Sequence, residues 1–553
     1  MKWPKKCCVL ILAATVVTLS LRLPRLQQRP MHGDEAVHAV KFGDLLERGD
    51  YTYDPNEFHG PTLNYLTLVP AWLASAETLT EVSEFTLRIV PVFFGALMVL
   101  GLLLLVDGLG RAAAVCAAVL TAVSPAMVFY SRYYIQEMLL VSFTFGVIVF
   151  GYRYTKSKNI LWAILTGVCL GFVHATKETC IIALDSILLA LVLVLILRRQ
   201  QDGHRGFIKT LKTIKGSHFI AGLLAAIVVS VLFFTSFFDN PRGILDSVLT
   251  YGTYFERAGQ NDLHGHPWHY YLKMLLFFKY GEGPVWSEAL IVFLAVVGFV
   301  VAMTRKGVSA VDFHLLRFIA FYTLAMIVIY SVIRYKTPWC MLGFLHGMIL
   351  LAGVGAVALV KLVPNVLPRL IVIGLLIAAS AHLGWQAYRA SFVSYADSRN
   401  PYVYAHPTTD VLTAARRTEE MADVLKQFSE EEPNDVEMHI QVICPGHDYW
   451  PLPWYLRRIE KGAIEWRDKV ADDVPAASII IASPDMEQEL LRKLYELPPP
   501  GKRNLYVPLF DTDMYLRPKV ELQGYVRKDL WDRYVNREVP DVVDSITGKK
   551  NEQ

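Results

Sequence analysis

Apolar residues in this chain come in long unbroken runs, not in the alternating or 3.6-residue stripes of soluble elements. A hydrocarbon core about 30 Å thick needs about 20 apolar residues per helix, and on that measure the sequence predicts about eleven spans. They are Cys7–Leu23, Thr86–Val106, Ala112–Tyr130, Met138–Tyr154, Ile160–Ala175, Thr179–Leu197, Phe219–Phe238, Glu288–Thr304, Leu315–Ile333, Pro338–Val360 and Leu370–Tyr388. The run Pro61–Ala74 is short and interrupted by Pro61 and Pro70, so it reads as an interfacial or re-entrant segment. Counting it as a span would invert every later connection. The first run follows Lys2, Lys5 and Lys6 and is followed by no small-x-small cleavage site, so it reads as an uncleaved span.

Beyond the last span the pattern changes. Residues 391–535 are polar enough to fold in water. His439–Cys444, Ala477–Ala482 and Asn504–Leu509 read as buried strands, and Thr418–Phe428 and Met486–Leu497 as helices. Residues 536–553 are charged and aperiodic and read as a disordered tail. The expected fold is therefore an α-helical polytopic membrane protein: a transmembrane domain over 1–390, a long outer loop over 24–85, and a small C-terminal extracytoplasmic α/β domain.

Composition agrees: 54% of the 553 residues are hydrophobic. With 54 basic against 51 acidic residues, charge gives no reason to expect nucleic acid as a partner. Where the charges sit is informative, because cytoplasmic loops collect Lys and Arg. The first helix is ambiguous, with Lys2, Lys5 and Lys6 facing Arg22, Arg25 and Arg29 across it. Later loops decide. With the N-terminus inside, the cytoplasmic connections hold Arg111; Arg153, Lys156 and Lys158; Arg198, Arg199, Arg205, Lys209, Lys212 and Lys215; Arg305 and Lys306; Lys361 and Arg369. The seven cysteines are scattered, form no CxxC pair and read as free thiols.

The residues able to carry chemistry fall in the opposite connections. Gly33-Asp34-Glu35-Ala36 opens a helical pattern in which Asp34 and His38 share a face and Glu35 lies beside them. Adjacent carboxylates near a low-dielectric boundary suit a general base, and equally suit an acidic cap on the helix dipole. His59-Gly60-Pro61 closes the same loop, and His59 could donate to a substrate. Asp34, His38 and His59 could also hold a divalent metal, although their spacing is not diagnostic. Arg132 and Glu137, Lys177-Glu178, and Arg334 with Lys336 sit at further span ends, where charged residues also anchor helices for purely physical reasons. Together Lys177, Arg334 and Lys336 suit a lipid phosphate. His266 and Trp268, in His264-Gly265-His266-Pro267-Trp268-His269, suit substrate or lipid contact better than a metal. Asp185 and His346 are polar intrusions within spans, too few for an ion pathway.

These clusters, taken in order, resemble the GT-C superfamily of membrane glycosyltransferases, which includes protein O-mannosyltransferases and the aminoarabinose transferase of lipid A. The likeness is nearest to the flippase-activity-associated family of archaeal N-glycosylation gene sets, which has bacterial members. It rests on Gly33-Asp34-Glu35-Ala36 with His38, His59-Gly60-Pro61, Ser124-Pro125 to Glu137, Lys177-Glu178, His266-Pro267-Trp268 and Lys336-Thr337-Pro338-Trp339. Asn400 to Tyr404 and Asp448 to Tyr455 resemble tail segments of the same family. The resemblance implies transfer of a sugar from a polyprenyl-phosphate donor to a glycan, lipid or protein acceptor on the outer face of the cell membrane. In that reading Asp34 and Glu35 are catalytic. His38, His59, Glu137, His266 and Trp268 contact sugar or acceptor, and Lys177, Arg334, Lys336 and Arg132 hold the lipid phosphate. His59-Gly60-Pro61 departs from the charged, proline-rich turn of the aminoarabinose enzymes, so their sugar is not carried over. The rival readings are a flippase for lipid-linked glycans and a non-catalytic partner in glycan assembly.

Overall fold

The computed structural model describes residues 5–56, 59–258, 264–432 and 437–536. The expected tail beyond residue 536, Glu57-Phe58, and the side chains of 202–212, with Arg205, Lys209 and Lys212, lie outside the described residues.

Helices occupy all eleven predicted spans. In chain order the helices are α1 Lys5–Arg22, α2 Gly33–Arg48, α3 Thr62–Leu73, α4 Glu84–Leu109, α5 Arg111–Val123, α6 Pro125–Ser131 and α7 Glu137–Ser157. They continue with α8 Ile160–Thr176, α9 Cys180–Lys212, α10 Gly216–Phe234, α11 Gly243–Ala258, α12 Tyr270–Leu276 and α13 Ala289–Thr304. The series closes with α14 Phe313–Val332, α15 Pro338–Leu362, α16 Val366–Tyr388 and α17 Asp410–Glu431. Among the described residues, seven helices are long and apolar enough to cross a membrane: α4, α7, α9, α10, α14, α15 and α16. The chain is a multi-pass membrane protein. The bent pair α5–α6 makes an eighth span if taken together, α8 and α13 are shorter apolar helices, and α1 has 18 residues. Helix α3, only 12 residues long, is too short to span.

The expected span Ala112–Tyr130 is bent: its helix breaks at Ser124-Pro125 by 58°. Pro125 cannot supply the amide that a continuous helix needs there, so it opens a new helix at its first position, capped by Ser124 Oγ. The break orphans carbonyls at the end of α5. Arg22, fully buried, donates to the carbonyls of Thr121 (3.0 Å) and Ala122 (2.9 Å) and to Ser131 Oγ (3.0 Å). Glu288, also fully buried, accepts from Ala126 N–H (3.0 Å), Ser124 Oγ (2.5 Å) and Tyr402 Oη (2.9 Å).

The chain divides into two compact units. The first comprises 1–28, 41–78 and 82–404, and the second comprises 29–40, 79–81 and the chain from Ala405. The division falls at Tyr404/Ala405, beyond the boundary near 390 that hydropathy suggests, and the acidic segment 29–40 clusters with the C-terminal module. Within the first unit, connections assigned to one side of the bilayer by parity bond to one another. Arg153 pairs with Asp107 (2.8 Å), Lys156 with Asp312 (2.7 Å), and Asp312 N–H donates to the carbonyl of Gly108 (2.7 Å).

The second unit holds a six-stranded sheet built from β1 Ile440–Ile443, β2 Ile464–Arg467, β3 Ile479–Ala482, β4 Tyr506–Pro508, β5 Met514–Arg517 and β6 Val520–Arg527. The order is β2-β1-β3-β6-β4, with β5 pairing β6. β1 runs parallel to β2 and β3, while β6 is antiparallel to β3, β4 and β5. β1 and β3 are buried throughout, which explains why they read as continuous apolar runs. Helix α17 covers one face through Val411, Leu425 and Phe428.

Candidate functional site

In the second unit, His32 precedes α2 and Glu35 lies three residues on. Glu35 Oε2 accepts His32 N–H (3.1 Å), the reciprocal half of a capping box, and Oε1 takes the Arg29 guanidinium (3.2 Å). Glu35 is fully buried. Both of its oxygens are engaged at the helix start, where a catalytic role was expected. Asp34 is different: its side chain is 52% exposed. Its backbone N–H donates to His32 Nδ1 (3.0 Å), and its Oδ1 lies 3.7 Å from the same nitrogen. His32 is buried edge-on against His406, at 4.8 Å between centroids. Burial, countered in part by Asp34 and Glu35, draws His32 below the usual histidine range. His38, one turn further on, is buried.

The first unit holds two separate clusters. The first lies at the His59 turn. A Cβ on Gly60 would come within 2.2 Å of the Ala175 carbonyl oxygen, so only glycine lets this turn press against the end of α8. Thr62 Oγ1 fastens it by donating to that same carbonyl (2.7 Å). The fit brings His59 Nδ1 to 2.8 Å from Glu178 Oε2, while Tyr53 Oη donates to Glu178 Oε1 (3.1 Å). Burial raises the Glu178 carboxyl's pKa, but His59 more than offsets it and holds the group below the usual range. Beside it, Lys177 is buried and ion-paired with Glu137. Burial opposes the Lys177 charge; the Glu137 carboxylate wins and lifts the ammonium above the usual lysine range. Among the described residues Glu137 Oε2 is buried with no hydrogen-bond partner, and Glu137 lines a cavity of about 20 Å³, room for about one water.

The second cluster joins His264–Trp268 to Arg334–Lys336. His266 N–H donates to the Arg334 carbonyl (3.1 Å), Lys336 N–H to the His264 carbonyl (3.0 Å), and Gly265 bridges Tyr335. Tyr404 Oη fixes the imidazoles, 2.6 Å from His264 Nδ1 and 3.3 Å from His266 Nε2, and His266 stacks on Tyr270 at 4.2 Å. A cavity of about 400 Å³ opens beside them, lined by Gly265, His266, Pro267, Trp268, Arg334 and Lys336, with Ser331 and Val332. Lys336 Nζ donates to the carbonyls of His266 (3.2 Å) and Ile333, and burial pulls it below the usual lysine range. An anion in the cavity would reverse that depression. Trp268 presents an exposed indole.

Four of the expected residues therefore share one cavity: His266, Trp268, Arg334 and Lys336. Lys177 does not line it and is ion-paired with Glu137, so the cavity gathers two of the three expected cations. Arg132 does not line it either. Its guanidinium donates to the carbonyls of Arg22 (2.7 Å), Pro24 (2.7 Å) and Arg25 (3.0 Å) and lies over the Phe392 ring, tying down the chain as it leaves α1. Among the described residues, no three histidine, cysteine or carboxylate side chains converge as a metal's donor set. Sequence reasoning missed Glu178 as the partner of His59, Tyr404 as the partner of His264 and His266, and His406 against His32. Tyr404 lies in a tail segment noted for resemblance; His406 carried no signal.

The chain matches the family model of dolichyl-phosphate-mannose-protein mannosyltransferase over residues 66–241. Its structure is similar to ArnT from Cupriavidus metallidurans bound to undecaprenyl phosphate, with a TM-score of 0.58 at 14% identity, covering 93% of this chain and 97% of that one. The fold is that of the GT-C glycosyltransferases. A second likeness agrees: the Archaeoglobus fulgidus oligosaccharyltransferase tethered with an acceptor peptide gives a TM-score of 0.53 at 13% identity, over 88% of this chain and 70% of that one. The same archaeal enzyme in complex with an inhibitory peptide and a dolichol-phosphate gives 0.52 at 12% identity. No curated protein sequence matches the chain. Within the GT-C fold, the helical part lies in the first unit and the α/β sheet in the second.

Proposed function

We propose that the protein is a membrane glycosyltransferase that moves a sugar from a polyprenyl-phosphate donor to an acceptor on the outer face of the cell membrane. The observation that carries the reading is the cavity lined by Arg334, Lys336, His266 and Trp268. It sets two cationic side chains beside an indole and an imidazole, the chemistry that a phosphate linked to a sugar requires. The ArnT relative was crystallised with undecaprenyl phosphate, which supports a lipid phosphate as the ligand. With the basic connections facing the cytoplasm, the N-terminus is inside and the cavity faces out.

The acceptor hydroxyl attacks the anomeric carbon of the donor. A new carbon–oxygen bond forms there, the bond to the phosphate oxygen breaks, and polyprenyl phosphate departs with the bonding electrons. Asp34, the exposed carboxylate of the acidic pair, takes the hydroxyl proton. Arg334 and Lys336 stabilise the charge gathering on the departing phosphate. The sugar and the acceptor are chosen by contacts beyond these.

The phosphate assignment is tested by binding. Arg334→Gln removes a charge-assisted contact of about 1.5–3 kcal/mol, so affinity for undecaprenyl phosphate should fall about 10- to 100-fold in native mass spectrometry of the purified protein. Unchanged affinity would place the phosphate elsewhere.

A further inference from the structure

Helix α11 starts where the membrane-spanning α10 ends. A Cβ on Gly243 would come within 1.8 Å of the Phe234 carbonyl oxygen, so glycine alone lets the first turn of α11 press on the last residue of α10. Between them, Asn240 N–H donates to the Thr235 carbonyl (2.9 Å) and Ser236 Oγ to the carbonyl of Tyr51. Because α10 is long and apolar enough to cross the bilayer, this junction belongs at the bilayer surface.

The pattern along α11 is the reverse of a helix packed on a protein core. Asp246, Ser247 and Thr250 are buried, whereas Ile244, Leu245, Val248 and Leu249 are 47%, 57%, 62% and 51% exposed. The four apolar residues recur at i, i+1, i+4 and i+5 and so form one stripe along the helix. The polar side is held by the protein. Thr250 Oγ1 donates to the Pro55 carbonyl (3.2 Å), Tyr251 Oη lies 3.3 Å from Cys180 Sγ, and the Tyr251 ring lies near parallel to His174 at 6.5 Å.

What adjoins the stripe points to its occupant. Almost none of α10 is buried in the protein, and it exposes Ile220, Leu224, Ile227 and Val228, as a lipid-facing span does. The turn between the helices exposes Phe237 and Phe238, so apolar surface continues from a lipid-facing helix onto α11. Arg242, just ahead of the stripe, is 77% exposed and pairs loosely with Asp246 (3.4 Å), a cation placed to reach lipid phosphates.

We propose that α11 is an interfacial helix whose partner is the bilayer, its apolar stripe sunk about 5–10 Å into the boundary between headgroups and acyl chains. In the topology proposed above, that is the outer leaflet. The opposite side of α11 holds Pro55, and Tyr53 of the same stretch bonds Glu178, so lipid braces the turn that pairs His59 with Glu178.

The test places a nitroxide on the full-length protein in phosphatidylcholine nanodiscs, one site at a time, through Leu245→Cys or Val248→Cys. The background lacks the native cysteines, with Cys180→Ser keeping a partner for Tyr251. Power saturation compares collisions with O2, which concentrates among acyl chains, and with a neutral nickel chelate, which stays in water. At both sites O2 should outweigh nickel several-fold, as at Ile227→Cys on α10, while Arg242→Cys should admit nickel. Nickel access at Leu245 and Val248 equal to that at Arg242 would put the stripe in water and overturn the proposal. Low access to both reagents would mean that protein covers the stripe and would overturn it too; dipolar broadening between labelled molecules would then identify a second copy. Both labels replace exposed side chains, and if one variant does not accumulate, the other decides by the same criteria.

Discussion

Asp34 and Glu35 are neighbours with the same chemistry and opposite fates. Glu35 points inward to Arg29 and the His32 amide and is fully buried, while Asp34 stays half exposed. Sequence could not separate them, because a capping carboxylate and an exposed one carry the same group at the same helix end. The structural role has a measurable consequence. Glu35→Gln removes the carboxylate that the buried Arg29 pairs with, and breaking such a pair costs about 3–5 kcal/mol. Thermal unfolding of the detergent-solubilised protein should shift down by several degrees; an unchanged midpoint would show that the pair contributes nothing. The same logic explains why basic residues on both sides of the first helix confused its orientation. Arg22 donates to the broken end of α5 and Arg29 pairs with Glu35, so both are engaged inside the protein.

At the level of elements, long apolar runs were legible because a hydrocarbon core fixes both length and composition. The break at Ser124-Pro125 was not, since the apolar run continues through it and only the bonding around Ser124 and Glu288 reveals it. Ser124→Ala should cost about 1 kcal/mol for the lost cap, and more because Glu288 loses a partner. A stability equal to wild type in a chemical-unfolding series would contradict the role given to this cap. In the C-terminal module, β1, β3 and β4 were legible from their apolar runs. β2, β5 and β6 were not: β2 is half-buried throughout, and although burial alternates along β5 and β6, the outward Tyr515 and Tyr525 and the buried Gly524 blur the apolar-polar pattern. The cavity residues His266, Trp268, Arg334 and Lys336 were found as separate clusters, but their convergence depends on an antiparallel bridge between segments some 70 residues apart, which no local pattern encodes.

For the whole molecule, the two sets of connections make a prediction about sidedness. The end held together by Arg153–Asp107 and Lys156–Asp312 should face the cytoplasm, and Trp268 the outside. In intact cells, a cysteine placed at Trp268 in a background without the native cysteines should react with a membrane-impermeant maleimide, whereas one placed at Lys306 should react only after permeabilisation. The reverse pattern would invert the topology and remove the outer-face reading. The central claim, that this GT-C fold transfers sugar from a lipid phosphate with Asp34 as base, is tested most directly by turnover. Purified protein in nanodiscs, given a panel of polyprenyl-phosphate sugars and acceptors, should release polyprenyl phosphate. Asp34→Asn should abolish that release while leaving donor binding and thermal unfolding unchanged. Full turnover in Asp34→Asn, or labelled donor crossing the bilayer with no release of phosphate, would contradict the account.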